Sequence, residues 1–285
     1  MRFVMLVRAS KDSEAGVLPD ENTLARMADY TEELVKAGAW LGAERLEPSA
    51  KGVRVRYAKG RFEVMDGPFA ETKELIAGFC LIEAKSKEEA IAWARRAPLQ
   101  EGEVELRSIV PLSYLPDART DKPDGGPEKE APFPTAPAPR KPGSVRYVAL
   151  VRANKASEAG ILPDRPSLAA MGAFLEEGVK SGVFLSADGL EPSSKSARIR
   201  FSGSKRMVID GPFAETKELI AGFVMLQFAS KAEAIEWGKR FLQVDSPCRS
   251  GGECEIELRP IFEFSTYGPS EAVERFGKLV ADTRK

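Results

Sequence analysis

The stretch DGPFAETKELIAGF occupies residues 66–79 and returns without a single change at 210–223. The agreement does not stop at its ends. RFVMLVRASKDSEAGVLPD (2–20) matches RYVALVRANKASEAGILPD (146–164) at a shift of 144 residues. LEPS (46–49) returns at 190–193, and SKEEAIAWARR (86–96) returns as SKAEAIEWGKR (230–240). Self-similarity at this period is far too long for a solenoid and marks a duplicated domain. The 285 residues of the chain suit two domains of ordinary size.

The first copy is assigned to residues 1–112 and the second to 145–268. Between them, SYLPDARTDKPDGGPEKEAPFPTAPAPRKPGS is rich in Pro, Gly, Ala and charge. Such a composition buries no core and reads as a linker over 113–144. In an extended form, at about 3 Å per residue, it reaches across a whole domain. The last segment, 269–285, reads as a helix capped by Ser270, with Val273, Phe276 and Val280 as an apolar stripe. It is expected to dock on the outside of the fold, or else to offer a face to a partner.

Each copy has an α+β pattern. RFVMLVR (2–8) is apolar on both alternating faces and reads as a central strand. A helix follows over about 22–38, closed by Gly38. VRVRY (53–57) alternates strictly, with Val53, Val55 and Tyr57 opposite Arg54 and Arg56. RFEVMD (61–66) is a short strand and AGFCLIEA (77–84) a buried one. Ser86 caps a helix over 86–96 and EVELRSIV (103–110) closes the copy. The order predicts a ferredoxin-like antiparallel sheet with both helices on one face.

That arrangement leaves a problem for the first strand. Phe3, Met5 and Val7 take one face and Val4 and Leu6 the other, yet the helices cover only one. The second copy can cover the remaining face, sheet against sheet, and the tether lowers the cost of bringing it there. The expected fold is therefore two tandem ferredoxin-like units packed as an intramolecular pseudo-dimer, a dimeric α+β barrel.

Composition narrows the function. The net charge of −1 gives no bulk attraction to nucleic acid or to a membrane surface, and neither is expected as a partner. No window is apolar enough to span a bilayer and the N-terminus lacks a signal-peptide core, so a cytoplasmic location is expected. The chain has no histidine. That removes Ser-His and Cys-His nucleophile pairs and histidine metal sites, leaving Asp, Glu, Lys, Tyr or Cys for acid–base work. Of three cysteines, Cys80 sits in an apolar run, while Cys248 and Cys254 flank CRSGGEC, which could close a redox bridge or hold part of a metal site. No metal and no cofactor are expected, since a structural zinc wants four Cys or His ligands.

In the repeated motif, Pro68 fixes φ and offers no N–H, so the strand before it ends there or lies at an edge. Phe69 is expected to anchor the loop, and Asp66 to accept N–H bonds from the turn it starts. DGPFAETKE, preceded by LEPS and followed by a buried strand, an AIxWA helix and ELR, resembles the DGPF domain of the YCII-related family. The resemblance covers nearly all of both copies. It implies a dimeric α+β barrel and a biochemical activity that is poorly defined for the family. Relatives in that family are thought to carry a His–Asp pair in a cleft; here only the Asp side can be matched, by Asp66 and Asp210. The resemblance also implies a regulatory association with extracytoplasmic-function sigma factors.

The candidate site residues follow. Asp66 and Asp210 are either turn-capping carboxylates or catalytic proton-transfer groups. Lys73 and Glu74, with Lys217 and Glu218, are either a solvated loop or ligand-binding residues, and Glu71 and Glu215 belong with them. Arg8 and Arg152 end the first strand of each copy. If their faces, and those of Arg56, Arg200, Arg107 and Arg259, turn into the barrel, they would suit a small anion. The two clefts are expected to hold Asp66, Lys73 and Arg8, and Asp210, Lys217 and Arg152. A small-molecule ligand is the first expectation and a non-catalytic partner protein such as a sigma factor the second.

Overall fold

The computed structural model describes residues 1–70, 75–110, 140–214, 219–245, 252–268 and 270–282. In the first copy the order is β1 (Arg2–Arg8), α1 (Lys11–Glu14), α2 (Glu21–Lys36), β2 (Trp40–Arg45), β3 (Val53–Ala58), β4 (Arg61–Asp66), β5 (Ile76–Glu83), α3 (Lys87–Arg95) and β6 (Glu101–Ser108). The second copy repeats it as β7 (Val145–Arg152), α4 (Lys155–Glu158), α5 (Arg165–Lys180), β8 (Phe184–Gly189), β9 (Ala197–Ser202), β10 (Lys205–Asp210), β11 (Ile220–Phe228), α6 (Lys231–Val244) and β12 (Cys254–Pro260). A last helix, α7, spans Glu271–Asp282.

Local chemistry sets the helix starts. Asp20 and Asp164 accept from the N–H groups of Thr23 and Ser167 to cap α2 and α5. Ser86 and Ser230 do the same for α3 and α6. α2 stops where Gly38 takes a φ of +68°, a value that glycine adopts at low cost.

The strands form two six-stranded antiparallel sheets, ordered β10-β9-β6-β1-β5-β2 and β4-β3-β12-β7-β11-β8. Within each, β6-β1-β5-β2 or β12-β7-β11-β8 is the ferredoxin-like core of one copy. The outer two strands come from the other copy. The β3–β4 hairpin of the first copy pairs with β12 of the second, and the β9–β10 hairpin of the second pairs with β6 of the first. The two halves are thus interlocked by a reciprocal exchange of hairpins.

The faces of β1 divide as their alternation predicts. Phe3 and Met5 pack beneath the helices, with Leu34, Ala90 and Ala94. Val4, Leu6 and Phe79 face the other sheet and meet Val148, Leu150 and Phe223. The Phe79 and Phe223 rings lie 5.2 Å apart at the centre of this layer. The exchanged hairpins enter the helix-side cores of their hosts: Val53 and Val55 join the α6 core, and Ile199 and Phe201 the α3 core. All four are at most 1 % exposed. Burying a side chain of this kind contributes about 1.5–3 kcal/mol. At the barrel corners, single bridges join Leu46 to Ile261 and Ile109 to Leu190.

α7 lies against α2. Arg275 reaches Asp29 at 2.7 Å and also pairs with Glu32, while the Phe276 ring stands edge-on to Trp40. Two features were not anticipated: the strand β2, and the one-turn helices α1 and α4. The WLGAER sequence of β2 is short and glycine-interrupted, and its pairing with β5 supplies what its own propensity lacks.

Candidate functional site

Two buried ionic clusters flank the apolar centre of the barrel, related by the internal repeat. In the first, the carboxylate of Glu105 on β6 is 1 % exposed. It accepts from Arg8 at 2.6 Å, from Arg107 at 3.1 Å and from Arg198 at 2.9 Å. Arg107 is itself fully buried and also donates to the carbonyl oxygen of Glu191 at 2.6 Å, with Glu158 on α4 beyond it at 3.5 Å. In the second, Glu257 on β12 binds Arg152 and Arg54, each at 2.9 Å, and Arg259 at 3.0 Å. Arg259 turns to the carbonyl of Glu47 and to Glu14 on α1.

Both copies build each cluster. Arg8, Glu105 and Arg107 belong to the first copy, whereas Arg198, Glu158 and Glu191 belong to the second. The strand register explains this. Glu105 faces Arg198 directly across the β6–β9 ladder, and Glu257 faces Arg54 across β12–β3, so opposite charges sit side by side.

The Asp-Gly-Pro-Phe turn closes over the same clusters. Phe69 lies under the guanidinium of Arg54 at 4.1 Å, and Phe213 under that of Arg198 at 4.0 Å. The backbone N–H of Phe69 donates to Ser49 Oγ, and that of Phe213 to Ser193 Oγ. Ser49 is held in turn by Glu14, and Ser193 by Glu158. One chain of contacts therefore joins the LEPS turn, the Asp-Gly-Pro-Phe turn and the buried arginines.

Asp66 and Asp210 stand at the outer rim. Their side chains are 72 % and 71 % exposed, and they pair with Lys231 at 2.7 Å and Lys87 at 2.9 Å. Each lysine is the first residue of a helix in the other copy, where a positive charge is disfavoured by the helix dipole. The aspartates answer that charge. The fold places Asp66 on the sheet of Arg152 and Asp210 on the sheet of Arg8, so Asp66 with Arg8, and Asp210 with Arg152, fall on different sheets. Glu71, Lys73, Glu74, Glu215, Lys217 and Glu218 lie outside the described residues, as does Cys248. Cys254 is disulfide-bonded, and Cys80 is a free thiol that burial keeps protonated. Arg56 and Arg200 reach the barrel edge, where they pair with Glu253 and Glu103.

Glu105 and Glu257, the hubs of the site, escaped the sequence reading. A signal was present in EVELR and EIELR, where charge alternates with apolar residues in strands that must be central. Burial alone would raise the pKa of Glu105, but Arg8, Arg107 and Arg198 outweigh it and hold the group below its ordinary value. Arg152, Arg259 and Arg54 do the same for Glu257. Both groups therefore stay ionised at neutral pH and are poorly suited to act as general acids. A carboxylate with a depressed folded pKa adds stability above its unfolded pKa of about 4.3 and loses it as pH falls through the folded value. Urea midpoints between pH 7 and 2 should fall steeply below about pH 4, and Glu105→Gln should flatten that limb. An unaltered limb in the variant would show that Glu105 does not titrate in this way.

Comparison with known proteins agrees with this architecture. The model of the YCII-related domain matches the chain twice, over residues 1–113 and 145–265. The chain belongs to the YCII-related family as a tandem duplication of its domain. An uncharacterized protein of Rhizobium meliloti (strain 1021) is 40% identical over 76 residues, which is 27% of this chain and 61% of that relative. The match thus spans under two thirds of the relative's length.

Proposed function

We propose that the protein binds a small anionic metabolite, carrying a carboxylate or phosphate, in two equivalent clefts beside the Asp-Gly-Pro-Phe turns. The observation that carries this reading is the convergence of three guanidiniums from both copies on one buried glutamate, repeated in each half. Glu105 and Glu257 hold these forks in fixed orientation, and a preorganised guanidinium loses less on binding a planar or tetrahedral oxyanion. In this reading Arg8 and Arg152, whose side chains keep 9% and 10% exposure, would form the inner end of each cleft, and Lys73 and Lys217 of the motif would add positive charge. Asp66 and Asp210 set the turn at the rim through Lys231 and Lys87. Catalysis is not required by this arrangement. Packing of α7 on α2 occupies the helix that a partner such as a sigma factor would otherwise read, which favours the ligand reading.

The test is a thermal-shift screen of small carboxylates and phosphates, followed by calorimetry on the best hit. The double variant Lys73→Ala/Lys217→Ala should weaken binding at least about tenfold, the loss of roughly one charge-assisted contact per cleft. Unchanged affinity in that variant, or no hit among the anions, would remove the reading.

A further inference from the structure

We infer that β10 is the contact surface of a homodimer, pairing antiparallel with β10 of a second copy of this chain about a two-fold axis through Val208. Among the described residues, β10 ends its sheet with no strand on its outer side. It is six residues long, carries no proline and pairs with β9 without a bulge. Proline and a bulge, two devices that blunt edge strands, are thus absent, and the charges of Lys205, Arg206 and Asp210 are the protection that remains, so a partner strand has to match them. Met207 is 59% exposed on this strand.

The register is constrained by the hairpin. Lys205 pairs with Ser202 across the Gly203-Ser204 turn. Alternate residues of an antiparallel strand turn their N–H and C=O groups outward. Lys205, Met207 and Ile209 bond to β9, so Arg206, Val208 and Asp210 direct theirs away from it. A two-fold axis perpendicular to the sheet keeps each side chain on its own face, so only residues of equal parity can lie opposite. Centred on Val208, it sets Arg206 opposite Asp210 twice and Val208 opposite itself. These are the residues whose backbone groups are free to pair, giving about six ladder bonds. On the other face Met207 meets Ile209. The charges are therefore complementary: Arg206 donates to the carbonyl oxygens of Gly203, Lys205 and Leu99, and its five N–H groups leave others to give. Apolar residues meet apolar residues, and the symmetry closes at two copies. Asp210 keeps its contact to Lys87, but most of its carboxylate is exposed and can accept again. The corresponding edge β4 lacks this self-complementarity, because the same operation puts Phe62 opposite Asp66.

Light scattering on the full chain, over about 1 to 200 µM, tests the inference; that range brackets the micromolar affinities common for small interfaces. The wild-type mass should rise to twice the chain mass. Val208→Pro should stay monomeric throughout, since it removes an outward N–H and no bond to β9. Val64→Pro, the matching change in β4, should dimerise like wild type. Val208→Lys, which sets two like charges face to face at the axis, serves if the proline variant melts early. A monomeric wild type at every concentration overturns the inference. So does a dimer that survives both Val208 changes.

Discussion

Replacing Gly67 by Ala should unseat the Asp-Gly-Pro-Phe turn and cost several kcal/mol. A Cβ built at Gly67 would lie 1.8 Å from the carbonyl oxygen of Ser49 and 2.6 Å from its carbon. Both neighbours are backbone, and Ser49 is itself fully buried, so neither can swing aside. Inserting one methyl into a packed core typically costs 1–3 kcal/mol, and a backbone clash of this depth should exceed that. At about 2–4 °C per kcal/mol for a chain of this size, a melting point lower by about 10 °C is expected. Gly211→Ala should behave alike, because its Cβ would sit 1.9 Å from Ser193 O. Gly172→Ala is the contrast. It lies within α5 with nothing within 4 Å of the added atom, and should stabilise by up to about 1 kcal/mol. If Gly67→Ala melts within a degree or two of wild type, the close approach of the two turns is not real.

Glu257→Ala should cost still more relative to its size. Three guanidiniums lose their shared acceptor, and Arg259 has no solvent exposure with which to recover. Removing one partner of a buried ion cluster typically costs about 3–5 kcal/mol. Here Glu255, 3.5 Å from Arg152 and 3.8 Å from Arg54, and Glu14, 3.3 Å from Arg259, offset only part of the charge left behind. The pair formed by Arg240 and Glu177, both about half exposed, provides the control. Exposed pairs are worth at most about 1 kcal/mol, so Glu177→Ala should fall in that range. Urea denaturation of both variants gives the comparison. A loss below about 1 kcal/mol for Glu257→Ala would mean that water reaches these arginines.

Much of the architecture was legible in the chain. The duplication, the helices, the two-faced first strand and the need for a sheet-on-sheet layer all follow from alternation and repeat spacing. Alternation separates Phe3, Met5 and Val7 from Val4 and Leu6, and one of the two sets has to meet another sheet because the helices cover only one side; which set does so is visible only in the packing. The exchange of hairpins could not be read in the same way. The two copies carry nearly the same strands, so ARIR and VRVR are equally suited to the edge of either copy. In both pairings an arginine lies opposite a glutamate, and local complementarity cannot choose. The choice is made by the path of the chain through the LEPS turn, which carries β3 to the other copy. The site was partly legible for a related reason. Arg8 and Arg152 stand out because they end the first strand of each copy, and Arg107 and Arg259 because they lie on alternating strands. Glu105 and Glu257 alternate in the same way, but a glutamate in a strand reads as solvated until its partners on neighbouring strands are known. The aspartates drew notice from the motif around them, and they sit at the rim, paired with helix-start lysines.

The interlocked pair is the claim on which the rest depends, and coupling between side chains tests it most directly. A double-mutant cycle between Arg54→Ala and Glu257→Gln should give an interaction energy in the range of about 0.5–3 kcal/mol found for contacting groups. The cycle between Arg54→Ala and Glu105→Gln, the pairing required if each hairpin stayed with its own copy, should be additive within about 0.5 kcal/mol. Coupling of Arg54 to Glu105 with none to Glu257 would contradict the exchange.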